Sequence, residues 1–126
     1  MIYGIGTDIV SVERVGAVFE RYGERFARRI LSDAELLDMA RAPSAARFLA
    51  KRFAAKEAFS KAIGTGIRRP VTWRFIAVGH DSRGKPLIDP HPLLAALMDE
   101  RGIAAHHISI TDERDVAVAF VVLEGH

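Results

Sequence analysis

The feature that most limits how this chain can fold is a pair of small-residue surfaces on two different elements. In "IYGIGTDIVSV", near the N-terminus, residues alternate as in a β-strand. Tyr3, Ile5 and Ile9 share one face, and Gly4, Gly6 and Asp8 share the other. In "SAARFLAKRFAAKEAFSKAI", residues 44–63, a helical projection lines up Ala50, Ala54 and Ala58, with Glu57 and Lys61 along the border. A stripe of alanines lets another backbone come close, and a strand face made of glycines carries no side chains to prevent it. Packing one surface on the other predicts that Asp8 and Glu57 point into a common crevice. Two carboxylates with a few waters form a hard-oxygen set suited to Mg²⁺, which completes its shell with substrate phosphates. Each acid also has an ordinary structural alternative. Glu57 and Lys61 form an i,i+4 pair worth about 0.2–0.5 kcal/mol on an exposed helix, and Asp8 can cap a turn or the next helix.

The other elements follow from caps and breakers. Residues 12–30 are helical in pattern, with Gly23 dividing them into two short helices. Ser32 followed by Glu35 is a capping-box signature, and Pro43 ends that helix before the long one at 44–63. "GTGIRRPV" reads as loop, "TWRFIAVGHD" as a strand, "SRGKP" as a turn and "PLIDP" as a return strand. "PHPLLAALMDERG" is a helix with proline near its start and Gly102 as its stop. "HHISIT" and "VAVAFVVL" are strands joined through "DERD". The class is therefore α+β, one domain over residues 1–126, with a mostly antiparallel sheet packed against helices.

Charge is unevenly placed. Between Arg41 and Arg69 lie eight basic residues against the single acid Glu57, a local +7 in a chain whose formal total is +2. Such a segment suits a polyanionic partner or a solvated face. In the helical projection, Arg52 and Lys56 fall among Phe48, Phe59 and Ile63. Upstream, Arg14, Val18, Arg21, Arg25 and Arg28 step by three and four along one helical side that Gly23 interrupts, a pattern suited to an acidic partner surface. There is no cysteine, which removes disulfides, thiolate metal sites and thiol nucleophiles. The opening residues lack the basic lead-in of a signal peptide, and no apolar run is long enough to span a membrane, so a cytoplasmic location is expected.

His106 and His107 are neighbours on a strand, so they face opposite sides and cannot share one metal. His107 lies in a polar row with Ser109 and Thr111, which is either a substrate groove or an exposed sheet face. His80 and His91 flank turns. No Cys/His zinc spacing and no Ser-His-acid triad are present. "GTG" at Gly64–Gly66 follows a helix, so it stops that helix and does not cradle a phosphate as a P-loop would.

Four segments, "IGTDIV", "RFLAKRFAAKEAFSKAIGTGIR", "GKP" and "HHISITDE", occur in this order over the whole chain. Together they resemble the holo-acyl-carrier-protein synthases, the small bacterial type of 4′-phosphopantetheinyl transferase. The resemblance implies transfer of the phosphopantetheine arm of coenzyme A to a serine of apo acyl-carrier protein, releasing 3′,5′-ADP, in support of fatty acid biosynthesis. It implies Mg²⁺ held by Asp8 and Glu57, with Lys61 and His107 near the phosphates and ribose of coenzyme A. A water on the metal, or Glu57 through a water, is the candidate base for the serine proton, and Lys61 the candidate stabiliser of phosphate oxygens. It also implies a homotrimer with active sites between subunits, and an acidic carrier protein docking on Arg14 and Arg21. Nucleic acid and membrane are not expected partners. Many relatives read "SITHT" where this chain has Thr111-Asp112-Glu113, which leaves that turn without an assigned role. Two other readings compete: a nucleic-acid-binding module using the basic segment, and a transferase acting on polyketide or peptide carrier domains.

Overall fold

A computed structural model describes residues 1–126. The chain runs β1 (Ile2–Ser11), α1 (Val12–Tyr22), α2 (Glu24–Ile30), α3 (Asp33–Ala40), α4 (Ala45–Ile63), β2 (Ile76–His80), β3 (Pro86–Pro90), α5 (Pro92–Glu100), β4 (Ile103–Asp112) and β5 (Val116–Gly125). The class is α+β, as expected. The strands form two antiparallel sheets, a three-stranded one in the order β1-β5-β4 and the β2-β3 hairpin.

The helix boundaries sit where the capping residues predict. Ser11 accepts from the Arg14 N–H, Ser44 accepts from the Arg47 N–H, and Ser32 with Glu35 closes a reciprocal capping box. Gly23, at φ 59°, separates α1 from α2, and Gly64, at φ 91°, ends α4.

Helix α4 lies across the glycine face of β1. A Cβ on Gly4 would strike the Ala62 carbonyl oxygen, and one on Gly6 would strike that of Ala58. Backbone therefore meets backbone, and Ala54, Ala58 and Ala62 are buried at the contact. The main core gathers Phe59, Ile63, Ile76, Leu94, Val121 and Leu123 around α4 and the helix-facing side of β5. The opposite face of β1 is left open, with Ile5 59% and Ile9 66% exposed, and Phe120 of β5 stands beside them at 44%.

One expected strand is shorter than its alternation suggests. Residues 73–75 form a turn and β2 starts only at Ile76. The Ile76 N–H donates to the Thr72 carbonyl and the Phe75 N–H to Thr72 Oγ1, so this backbone is satisfied locally and leaves the ladder. His91, which reads as incidental in sequence, caps α5 by accepting from the Leu93 N–H and stacks on Phe75 with centroids 3.8 Å apart.

His106 ties the two sheets together, since its Nε2 accepts the Ile88 N–H of β3 over 3.0 Å. Burial, with smaller contributions from His107 and Lys85, lowers its pKa below the ordinary 6.5. The unfolded imidazole therefore takes up a proton at a higher pH than the folded one. The contribution is complete above the unfolded pKa and is lost as pH falls through it toward the folded value. His80, lowered chiefly by its own burial, acts in the same sense. The thermal midpoint is expected to fall between about pH 7.5 and about pH 5.5. His106→Gln, which keeps an acceptor but cannot titrate, is expected to flatten that dependence; an unchanged slope in the variant would remove His106 from the account.

Candidate active site

The contact between β1 and α4 carries the two acids into one cavity of about 390 Å³, lined by Asp8 and Glu57 together with Arg14, Val18, Phe26 and Phe53. Asp8 follows Gly4 and Gly6 on the helix-facing side of β1, so its carboxylate emerges where α4 passes. Lys61, one helical turn beyond Glu57, places its Nζ 3.1 Å from Asp8 Oδ1 and 3.0 Å from the Thr7 carbonyl. This ammonium is half exposed and remains open to a further anionic oxygen. Glu57 Oε2 accepts the indole N–H of Trp73 over 2.9 Å. The Lys61 partner foreseen for Glu57 in the i,i+4 alternative is thus engaged with Asp8 instead.

No cluster of three His, Cys, Asp or Glu side chains suited to a metal ion is present. A two-carboxylate Mg²⁺ site is compatible with this, because Mg²⁺ keeps waters and takes substrate phosphate oxygens as its remaining ligands. Asp8 and Glu57 fit that role as acceptor-only groups opening on the same cavity.

An adjoining cavity of about 550 Å³ shares Val18, Phe26 and Phe53 with the first and adds Tyr22, Arg25, Arg29 and Trp73. The two make an apolar groove along α1 and α2 with cationic edges. Arg14 lies beside the acids, and Arg21 extends the exposed row along α1, its guanidinium 5.3 Å from the Tyr22 ring. Arg28, by contrast, pairs with Glu24 at 3.2 Å.

The basic segment 41–69 is not the open phosphate-binding face that its charge suggests. Lys56 and Arg52 are 0% and 5% exposed and hold the buried Glu35 carboxylate at 2.6 and 3.1 Å. Lys56 also donates to the Ile30 and Trp73 carbonyls, and Arg52 to that of Val78. These two cations are structural and are not the phosphate-binding groups that their charge suggests. Arg47 pairs with Asp112 at 2.9 Å and also donates to the Glu113 and Arg114 carbonyls, so the Thr111-Asp112-Glu113 turn anchors α4 to the β4–β5 hairpin. Lys51 joins that pair at 3.6 Å.

His107 is not brought to the acids within one chain. Its strand partners are Val122 and, through β5, Ile5, on the outer sheet face, while Asp8 lies on the helix side. There it contacts Glu124, with Ser109 and Thr111 exposed in the same row. Trp73, Phe26 and Phe53 are site residues that sequence reasoning missed. Trp73 carries no spacing signal; only its being the sole tryptophan set it apart.

Residues 4–121 match the family model described as the 4′-phosphopantetheinyl transferase superfamily. The chain belongs to this superfamily. Among relatives of this transferase, the holo-[acyl-carrier-protein] synthase of Nitrosomonas eutropha is 57% identical over 124 residues, covering 98% of this chain and 99% of that protein. The crystal structure of the Neisseria meningitidis holo-[acyl-carrier-protein] synthase superposes with a TM-score of 0.95 at 51% identity, covering 98% of this chain and 99% of that one. The Bacillus anthracis synthase, solved in complex with CoA (3′,5′-ADP), gives 0.84 at 37% identity over 100% of this chain and 99% of that one.

Proposed function

We propose that this chain is a holo-acyl-carrier-protein synthase, transferring 4′-phosphopantetheine from coenzyme A to a serine of apo acyl-carrier protein. The observation that carries the reading is the convergence of Asp8, Glu57 and Lys61 at one crevice beside a cation-edged apolar groove. The serine oxygen attacks the phosphorus that bears pantetheine. The bond from that phosphorus to the bridging pyrophosphate oxygen breaks, and 3′,5′-ADP leaves.

Asp8 and Glu57 would hold Mg²⁺, which when bound neutralises charge on the pyrophosphate oxygens. Lys61, at the rim, donates to a non-bridging oxygen. The serine proton leaves to water in the crevice. No covalent intermediate on the enzyme is required.

His107 reaches coenzyme A only if a second copy brings its outer sheet face to this crevice. Exposed Ile5, Ile9 and Phe120 on that face favour assembly of copies, since contiguous apolar surface of this kind marks interaction sites. The homotrimer implied by the family resemblance provides such an arrangement. No helix is long and apolar enough to cross a membrane. The alternative of a nucleic-acid module loses its main support, because Arg52 and Lys56 are internal and Arg47 and Lys51 are paired with Asp112.

The acidic carrier would lie in the groove of α1 and α2, with its acids against Arg14 and Arg21. Release of 3′,5′-ADP, followed by chromatography, tests both reaction and docking. Release is expected to require coenzyme A and apo carrier together. Changing Arg14 and Arg21 to Glu is expected to raise KM for the carrier by on the order of tenfold or more while changing that for coenzyme A little. Equal effects on the two substrates would refute the docking surface, and release without carrier would refute the reaction.

A further inference from the structure

We propose that Trp73 is a positioning residue for the transfer. It holds one oxygen of Glu57 so that only the other faces the crevice, an inference that rests on reading Asp8 and Glu57 as the cation-holding pair. The Trp73 Nε1–H donates to Glu57 Oε2 over 2.9 Å, and Oε1 has no hydrogen-bond partner within the chain. The residue preceding Glu57, Lys56, donates to the Trp73 backbone carbonyl over 2.8 Å. Consecutive residues of α4 therefore engage both ends of the same tryptophan, its carbonyl and its indole N–H. Phe53, one turn earlier on α4, packs against the indole with centroids 5.9 Å apart. Lys56 is itself fixed by Glu35 at 2.6 Å and by the Ile30 carbonyl at 2.6 Å. A continuous set of contacts thus runs from the buried ion cluster to the candidate metal ligand.

The chemistry of the contact explains its use. A glutamate on a helix has three rotatable side-chain bonds, and ordering it when a cation arrives weakens binding. Here the carboxylate is ordered by folding. An indole N–H is a donor only and does not titrate, so it cannot compete for the cation or remove the carboxylate proton-accepting charge. A lysine in its place would offset that charge, as Lys61 does beside Asp8. With Oε2 occupied, Glu57 presents Oε1 alone, the monodentate contact that leaves most of a Mg²⁺ shell to water and phosphate. Groups that orient a metal ligand in this manner are typically worth about 10–100-fold in metal affinity.

Trp73 is the only tryptophan, so its indole N–H gives a single nuclear magnetic resonance signal. The test titrates Mg²⁺ alone into the wild type, Trp73→Phe and Glu57→Gln, with affinity read by calorimetry and the Mg²⁺ requirement of transfer measured in parallel. Phenylalanine keeps an aromatic ring against Phe53 and removes the donor. Trp73→Phe is expected to bind Mg²⁺ roughly tenfold more weakly or worse, with the Mg²⁺ concentration for half-maximal activity rising in step. Wild-type affinity and Mg²⁺ dependence in Trp73→Phe, beside lost binding in Glu57→Gln, would overturn the inference alone. Unchanged binding in Glu57→Gln would overturn the underlying metal assignment and the inference with it. If Trp73→Phe does not fold, the wild-type indole signal decides: a shift on saturation with Mg²⁺ supports the role, and an unmoved signal refutes it.

Discussion

Alanine in place of Asp8 or Glu57 is expected to lower the transfer rate by about a thousandfold or more while leaving the protein folded. A divalent cation at a phosphoryl centre supplies several kcal/mol of charge stabilisation, and each 1.4 kcal/mol or so is a factor of about ten in rate. Either substitution would leave the proposed Mg²⁺ site with a single carboxylate, too few to compete with water for a cation that dehydrates reluctantly. The folded state depends little on these side chains. Asp8 meets only Lys61, and Glu57 meets only the Trp73 indole. Removing Glu57 orphans one half-buried donor, a loss of about 1 kcal/mol. Steady-state rates at saturating Mg²⁺, with circular dichroism to check folding, provide the measurement. A folded variant of either kind that keeps more than about a tenth of wild-type activity would be inconsistent with a metal contribution of this size.

The second large effect lies in stability. Glu35→Ala is expected to cost about 3–5 kcal/mol, because it breaks a buried pair by removing one partner. Glu35, Arg52 and Lys56 are 1%, 5% and 0% exposed, so no solvent takes over. Burial already lowers the Lys56 pKa to about 8 against the pull of Glu35, and without that carboxylate the amine can shed its proton. Arg52 has no such escape and is left charged among Phe48 and the Val78 carbonyl. The same carboxylate also closes the α3 capping box through the Ser32 N–H, worth about 1 kcal/mol more. Against a total of roughly 5–15 kcal/mol for a domain, the loss is severe. Urea unfolding is expected to show a midpoint lowered accordingly, whereas replacing all three charges by apolar side chains of similar volume should recover much of it. A shift below about 1 kcal/mol for Glu35→Ala would mean that water reaches the cluster.

Local signals carried most of the architecture. Ser11, Ser32, Ser44, Gly23 and Gly64 each act within a few residues of themselves, so the helix limits are readable from the chain. The Gly4/Gly6 face and the alanine stripe state their complementarity openly, and it brings Asp8 to Glu57. Long-range electrostatics was not readable in this way. Glu35 looks complete as a capping residue, and nothing nearby announces that it also neutralises Arg52 and Lys56, 17 and 21 positions later. Their charge therefore passed for a phosphate-binding face. A period of two assigns Ile5 and Ile9 to one side of β1 without saying which side is inward. The glycine side wins because only bare backbone lets α4 approach so closely. The 72–75 segment alternates like a strand, but Thr72 satisfies its backbone locally, and the Trp73 carbonyl and indole are recruited by Lys56 and Glu57.

The intact mass of apo acyl-carrier protein, after incubation with this chain, coenzyme A and Mg²⁺, tests the central assignment most directly. The arm stays covalently on the carrier serine. The expected spectrum shows the carrier heavier by one phosphopantetheine group with the wild-type chain, and unchanged with Asp8→Ala or Glu57→Ala. A carrier whose mass does not change with the wild type, or increases equally with the variants, would contradict the account.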